Sequence, residues 1–200
     1  GSIKEHEKID SSFLFKSNKD FSSFLETNIQ KIDAVFVIGW SDILSDNIVD
    51  AYTCVGMHPS DLPNYKGGSP IQNQIIRNVK QSAVTLFRMN EKIDRGNIIF
   101  QKKMSLSGNL NNIFKRIISA GTLLSLKLFK NNYKEKKIKV TKIFLRRKPH
   151  ESEITLKEIK SKSARYLYNK IRMLQDPYPN AYIKTSDGKK LFITNAKLRT

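Results

Sequence analysis

The chain of 200 residues has one cysteine, Cys54, and one tryptophan, Trp40. A single thiol excludes an intramolecular disulfide and fits a reducing compartment, so a cytoplasmic location is expected. There is no run of about 18 apolar residues, so no transmembrane helix is expected. The opening residues Gly1 to His6 are charged and lack an apolar stretch, unlike a secretory signal peptide. The three histidines, His6, His58 and His150, have no ligand-spaced partners, which speaks against a metal site. No Gly-x-Ser-x-Gly surrounds a serine, and the glycines and lysine at 66–68 lack P-loop spacing. Acids are scarce as well: 18 against 36 lysines and arginines, a formal charge of +18. That excess favours polyanionic partners. It is spread along the whole chain, however, and a composition rich in Lys, Asn and Ile accounts for much of it as solvated surface.

What is present is an alternation of apolar runs and amphipathic stretches. Residues 20–30 read as a helix, with Phe21, Phe24, Leu25 and Ile29 on one stripe. Ala34 to Ile38 form an unbroken apolar run closed by Gly39, the pattern of a strand buried on both faces. A short helix is expected over 42–49 and a second buried strand over 51–57, leading into His58. A loop rich in turn formers follows, and Pro70 is well placed to start a helix over 71–79. Strands are expected at 83–89 and 98–104, then a long helix carrying Leu110, Ile113, Ile117, Gly121, Leu124 and Leu128 at helical spacing. Together these predict an α/β fold: a Rossmann-like, mainly parallel sheet with flanking helices. The composition shifts near Asn131. We therefore divide the chain into a core, 1–132, and a C-terminal appendage, 133–200. In the appendage a strand is expected at 138–145, a helix at 163–175, and a β-hairpin around Ser186-Asp187-Gly188.

His58 ends a buried strand, and ligands of open α/β sheets gather at the carboxyl ends of strands. A histidine there suits proton transfer near neutral pH, or it simply bonds the loop backbone. Asp94, beside Gly96, could orient an imidazole or be an ordinary turn residue. The loop Tyr65 to Pro70 could wrap an anion with its backbone N–H groups and Lys66. Trp40, after Gly39, could lie on a flat ligand or cover the core.

Taken jointly these segments resemble a known family. Gly56-Met57-His58-Pro59-Ser60, with Leu62-Pro63, Lys66-Gly67 and Pro70, is similar to the signature of the 10-formyltetrahydrofolate-dependent formyltransferases. Downstream, Asp94-Arg95-Gly96-Asn97-Ile98 resembles the family's Asp-x-Gly-Asp-Ile stretch. The resemblance implies that an acceptor amine attacks the formyl carbon of 10-formyltetrahydrofolate. His58 would then stabilise or protonate the intermediate, while Asp94 orients His58 and helps accept the amine's proton. It implies a pterin pocket built from Ile38, Gly39, Trp40, Ser41, Ile43 and Leu44, closed from the other side by Ile93. Ser60, Lys66, Gly67 and Asn73 would shape the substrate side. Two departures stand out. Gly56 occupies the place of the family's usual asparagine, which polarises the formyl oxygen; Gln72 or Asn73 is a candidate substitute. The first strand–helix unit of the family domain is also expected to be missing.

The tail segments Arg146 to Ile154 (Arg-Arg-Lys-Pro-His-Glu-Ser-Glu-Ile) and Ile171 to Tyr182 (Ile-Arg-Met-Leu-Gln-Asp-Pro-Tyr-Pro-Asn-Ala-Tyr) resemble those of sugar-nucleotide N-formyltransferases. This implies a nucleotide-linked amino sugar as acceptor, polysaccharide biosynthesis as setting, and a homodimer joined through the C-terminal region. The alternatives are a methionyl-tRNA formyltransferase, favoured by the charge, and a catalytically weakened binding homologue.

Overall fold

The computed structural model describes residues 18–28, 32–39, 44–90, 94, 96–130, 133–139 and 141–199. Helix α1, Asn18–Thr27, turns Leu25 inward, and strand β1, Ala34–Ile38, follows. Helix α2, Asp46–Ala51, runs two residues further than the apolar pattern suggests, so the next strand, β2, starts later, at Thr53–His58. Leu25, Val35, Leu44, Ile48, Tyr52 and Cys54 form one apolar cluster that joins α1 and α2 to the first two strands. The Tyr52 hydroxyl donates to the Leu25 carbonyl, tying the end of α1 to the start of β2.

Beyond the two-residue β3, Lys66–Gly67, helix α3 spans Pro70–Ile76 with the proline in its first turn, as expected. Strands β4, Gln81–Arg88, and β5, Ile98–Ser105, complete a sheet of order β1-β2-β4-β5. The α/β layering read from the alternation of elements is therefore present. Among the described strands, β1 and β2 pair in parallel, while β2 with β4 and β4 with β5 pair antiparallel. The described part of the sheet is thus mixed. The reversal at β5 follows from chain length: nine residues, 89–97, separate β4 from β5, and a parallel return needs about a dozen or more. The absent first strand expected from the family pattern concerns residues that lie outside the described ones.

Helix α4, Leu110–Lys130, covers one face of this sheet. Asn109 caps it: its Oδ1 accepts from the Asn112 N–H at 2.9 Å. Leu110, Ile113, Ile117, Ala120, Gly121 and Leu124 are buried. The helix comes close because Gly121 has no side chain, and the Met57 sulfur fills the space a Cβ would take. Each large apolar side chain buried here contributes about 1.5–3 kcal/mol.

The strand expected at 138–145 shrinks to β6, Ile143–Phe144, paired in parallel with β3. Just before the expected strand, Lys136 forms an isolated bridge with Ile98. A 3-10 turn, Pro149–Ser152, precedes helix α5, Leu156–Ser161, which apolar periodicity did not reveal. The sequence does carry its start signal, Thr155 and Glu158, which cap each other's backbone N–H groups. Helix α6, Ala164–Arg172, and the hairpin β7, Ala181–Lys184, with β8, Lys190–Ile193, lie where expected. Ile154, Ile171, Met173, Leu174 and Ala181 enter the same apolar cluster as Val55, Leu86, Leu110 and Ile113. The buried Arg172 guanidinium donates to the carbonyls of Leu106 and Gly108, each at 2.9 Å.

Candidate active site

His58 is the last residue of β2 and 7 % exposed. Parallel pairing sets Ile38 beside Met57, so the carboxyl ends of β1 and β2 open at the same edge. His58 shares a sheet face with Gly56, and across the ladder it faces Thr85. Its Nε2 lies 2.9 Å from the Tyr65 carbonyl. A carbonyl only accepts, so Nε2 carries the proton. That leaves Nδ1 as the exchangeable position, and Nδ1 faces Asp94 Oδ2 at 3.5 Å. This is within ion-pair range but longer than an ordinary hydrogen bond. The same Asp94 oxygen accepts the Gly67 N–H at 2.7 Å.

Asp94 reaches this place because the β4–β5 connection folds back. Arg88, at the end of β4, pairs with Val55, three residues before His58 on β2. Six residues later the chain has returned to His58. Asp94 has φ 47°, Tyr65, whose carbonyl meets His58, has 54°, and Ser69 in the same loop has 49°, three of the four described non-glycine residues with left-handed backbone. Such conformations cost about 1–2 kcal/mol each and need surrounding support.

That support comes from buried polar groups that no sequence motif marks. Thr85, inside β4, donates to the Ser60 carbonyl at 2.7 Å and accepts from Gln101 at 2.9 Å. Gln74 donates to the carbonyls of Pro59 and Pro70, each at 2.9 Å, and accepts from the Ser82 hydroxyl. The tail contributes a strap. Thr141 donates to the Pro63 carbonyl, the Gly68 N–H donates to the Phe144 carbonyl at 2.7 Å, and the Arg147 N–H donates to Ser69 Oγ. Phe144 stacks on Tyr65 with ring centroids 5.0 Å apart, and the Arg77 guanidinium lies 4.8 Å from its ring centre. Gly67 and Gly68 make this approach possible. A Cβ on Gly67 would run into the Phe144 carbonyl, and one on Gly68 into the Arg146 backbone. Phe144 and Thr141 were missed from sequence because their partners lie 67 to 79 residues away.

The other expected site residues divide into several groups. Ser60 and Lys66 are fully buried. The Ser60 hydroxyl donates to the Asn64 carbonyl, closing the loop on itself. The Gly67 and Gly68 amides are engaged by Asp94 and Phe144, which leaves neither for the anion cradle considered from sequence. Asn73 donates to the Gly68 carbonyl and accepts from Arg77, while Gln72 is buried in α3. Ile38 is 58 % exposed at the strand end. Gly39, at φ 66°, has no described residue within 4 Å of where a Cβ would stand. Leu44 is committed to the apolar cluster under α1 and α2. Trp40, Ser41, Ile43 and Ile93 lie outside the described residues. At Gly56 a Cβ would stand 2.6 Å from the Phe87 ring and 3.1 Å from Met89.

A family model described as formyl transferase matches residues 3–112, more than half of the chain. The chain belongs to the formyl transferase family. Its similarity extends to methionyl-tRNA formyltransferase of Rickettsia bellii, 34 % identical over 109 residues that cover 52 % of this chain and 36 % of that protein. The chain thus spans about a third of the length of that curated relative. Among solved structures, methionyl-tRNA formyltransferase of Clostridium thermocellum has a TM-score of 0.72 at 30 % identity, covering 88 % of this chain and 83 % of that one. A sugar N-formyltransferase of Shewanella has 0.72 at 26 %, covering 92 % and 76 %.

Proposed function

We propose that this formyl transferase family member moves the formyl group of 10-formyltetrahydrofolate to the amino group of a nucleotide-linked amino sugar, in the cytoplasm. The observation that carries the reading is the His58–Asp94 pair at the carboxyl ends of the parallel strands, with Nδ1 and Oδ2 3.5 Å apart. The open ground at Gly39 and the exposed Ile38 beside it suit a flat, partly apolar ring system. Trp40, Ser41, Ile43 and Ile93 complete the proposed pterin pocket.

When bound, the folate supplies an electrophilic formyl carbon. The protein's part is positioning and proton movement. The Tyr65 carbonyl and Asp94 hold the imidazole ring between them. Asp94 Oδ2 is kept in place by the Gly67 N–H and helps take up the proton that the free acceptor amine sheds as its nitrogen bonds the formyl carbon, while His58 delivers a proton to the folate nitrogen as its bond to that carbon breaks. The Nδ1 proton is the one His58 exchanges with the reacting groups. The family's carboxamide at position 56 has no counterpart here, so charge developing on the formyl oxygen falls to His58 and backbone donors.

Support for a sugar acceptor lies in the tail residues 146–154 and 171–182 and in the Shewanella likeness. A second reading, transfer to methionyl-tRNA, is favoured by the curated relative and by the charge of +18. In either reading the chain is a transferase; the amino sugar would place it in polysaccharide synthesis. The same proposal pairs two copies through the C-terminal hairpin, where Leu191 and Phe192 are exposed.

The test is formylation of UDP- and dTDP-linked amino sugars, and of methionyl-tRNA, followed by mass spectrometry. His58→Asn and Asp94→Asn should each lower turnover by about 10²–10⁴ with the fold retained. A folded chain that binds no folate derivative overturns the reading. Formylation of methionyl-tRNA alone selects the second one.

A further inference from the structure

We propose that the tail strap, 141–147, is an anion-binding wall that seats the acceptor's phosphates beside the His58–Asp94 pair. The inference rests on the reading of the site as one that formylates a nucleotide-linked amine. From 136 to 148 the chain carries seven lysines and arginines and no acid. The acids on either side are already taken: Glu135 pairs with Arg88 at 3.1 Å and Glu151 with Arg147 at 3.6 Å. Lys139, Lys142 and Arg146 are exposed, and none has a carboxylate partner among the described residues. Three exposed cations without carboxylate partners in one eight-residue stretch favour an anion beside them.

Their placement connects this charge with the chemistry. The strap is fastened to the catalytic loop by the Gly68–Phe144 and Ser69–Arg147 hydrogen bonds and by the Tyr65–Phe144 stack. Gly67 touches Asp94, and the next residue, Gly68, packs against the backbone of Arg146. One residue step is about 3.8 Å. In a nucleotide-linked amino sugar the reacting amine and the anomeric phosphate are separated by the sugar ring. An amine held by Asp94 therefore leaves its diphosphate within reach of the strap. Arginine suits this role, since its fork binds phosphate oxygens in pairs.

The test is calorimetric titration of the full chain with inorganic pyrophosphate, UDP and dTDP at low salt, and separately with 5-formyltetrahydrofolate. The double variant Lys142→Ala with Arg146→Ala should bind pyrophosphate and both nucleotides about tenfold more weakly or worse. Its folate affinity should match that of the wild type. The control Lys102→Ala with Lys103→Ala removes the same charge from exposed positions of β5 and should change pyrophosphate binding less than twofold. Equal weakening in both double variants, or none in the strap variant, overturns the inference. So does initiator tRNA that displaces pyrophosphate with far higher, Arg146-dependent affinity, since the wall then reads RNA. Absent folate binding in the wild type overturns the formyl-transfer reading instead, and the pyrophosphate result distinguishes the two failures.

Discussion

The ring of Phe87 occupies the space into which a side chain at position 56 would project, with Cε1 and Cζ 2.6 Å from the Cβ that Gly56 lacks. The two residues face each other across the β2–β4 ladder, so the glycine and the large ring form a complementary pair. Gly56→Asn should therefore destabilise the chain by about 1–3 kcal/mol, the usual cost of overpacking. Phe87→Ala alone should cost about 3–5 kcal/mol. Combined, the two should fall short of their sum by at least about 1 kcal/mol, because each relieves the other. Urea denaturation of the four proteins measures this; strict additivity would show that position 56 has room.

Phe144 should influence the site without touching the reacting groups. It holds Tyr65 by stacking, and the Tyr65 carbonyl holds His58. Phe144→Ala removes the stack and the Arg77 contact, about 1–3 kcal/mol of local interaction. The expected outcome is a roughly tenfold fall in kcat and an altered pH profile, with Phe144→Tyr near wild type. A change in melting temperature with an unaltered pH profile would assign Phe144 a purely structural part.

Cys54 should be chemically silent in the folded chain. Burial pushes its thiol up to about 11, against a smaller lowering by the Arg88 charge. At pH 8 only about one thiol in a thousand is then ionised, and the thiolate is the nucleophile. Iodoacetamide should label the protein in urea and leave it unmodified in buffer, as mass spectrometry would show. Rapid native labelling would place Cys54 at the surface.

The tail contains an acid-sensitive clamp. Lys170 Nζ lies 2.8 Å from both Glu158 oxygens, with the lysine side chain 5 % exposed. Burial raises the Glu158 pKa, but hydrogen bonds from Lys170, the backbone of Thr155 and Tyr166, with the Lys170 charge, outweigh it and leave the group lowered. A lowered carboxyl stabilises the fold above its unfolded value, near pH 4.3, and that stability is lost as pH falls through the folded value. Glu158→Gln should cost about 2 kcal/mol at pH 7. The gap should close in acid, which melting curves at pH 7 and pH 3 would reveal; a constant gap would point to packing instead.

The sheet and α4 were legible because their apolar periodicity is local. His58 and Asp94 were legible because a strand end and a short motif carry them. Gly67 and Gly68 were legible only as a turn. Their amides serve Asp94, 27 residues on, and Phe144, and their missing side chains admit the strap, which lies 76 to 78 residues away. Thr85 and Gln74 were hidden for a related reason. Inside a buried strand and helix they resemble tolerated polar residues, and only the paired carbonyls of Ser60, Pro59 and Pro70 reveal their task. The Thr155-x-x-Glu158 pattern marks the start of α5, but no apolar stripe follows it to announce a helix.

The strap also sets an order in time. His58 and its loop leave the ribosome well before Thr141 and Phe144, which secure that loop. During synthesis the nascent chain therefore carries its imidazole and glycine pair without their final brace. The brace on that loop is completed only once the tail has been made.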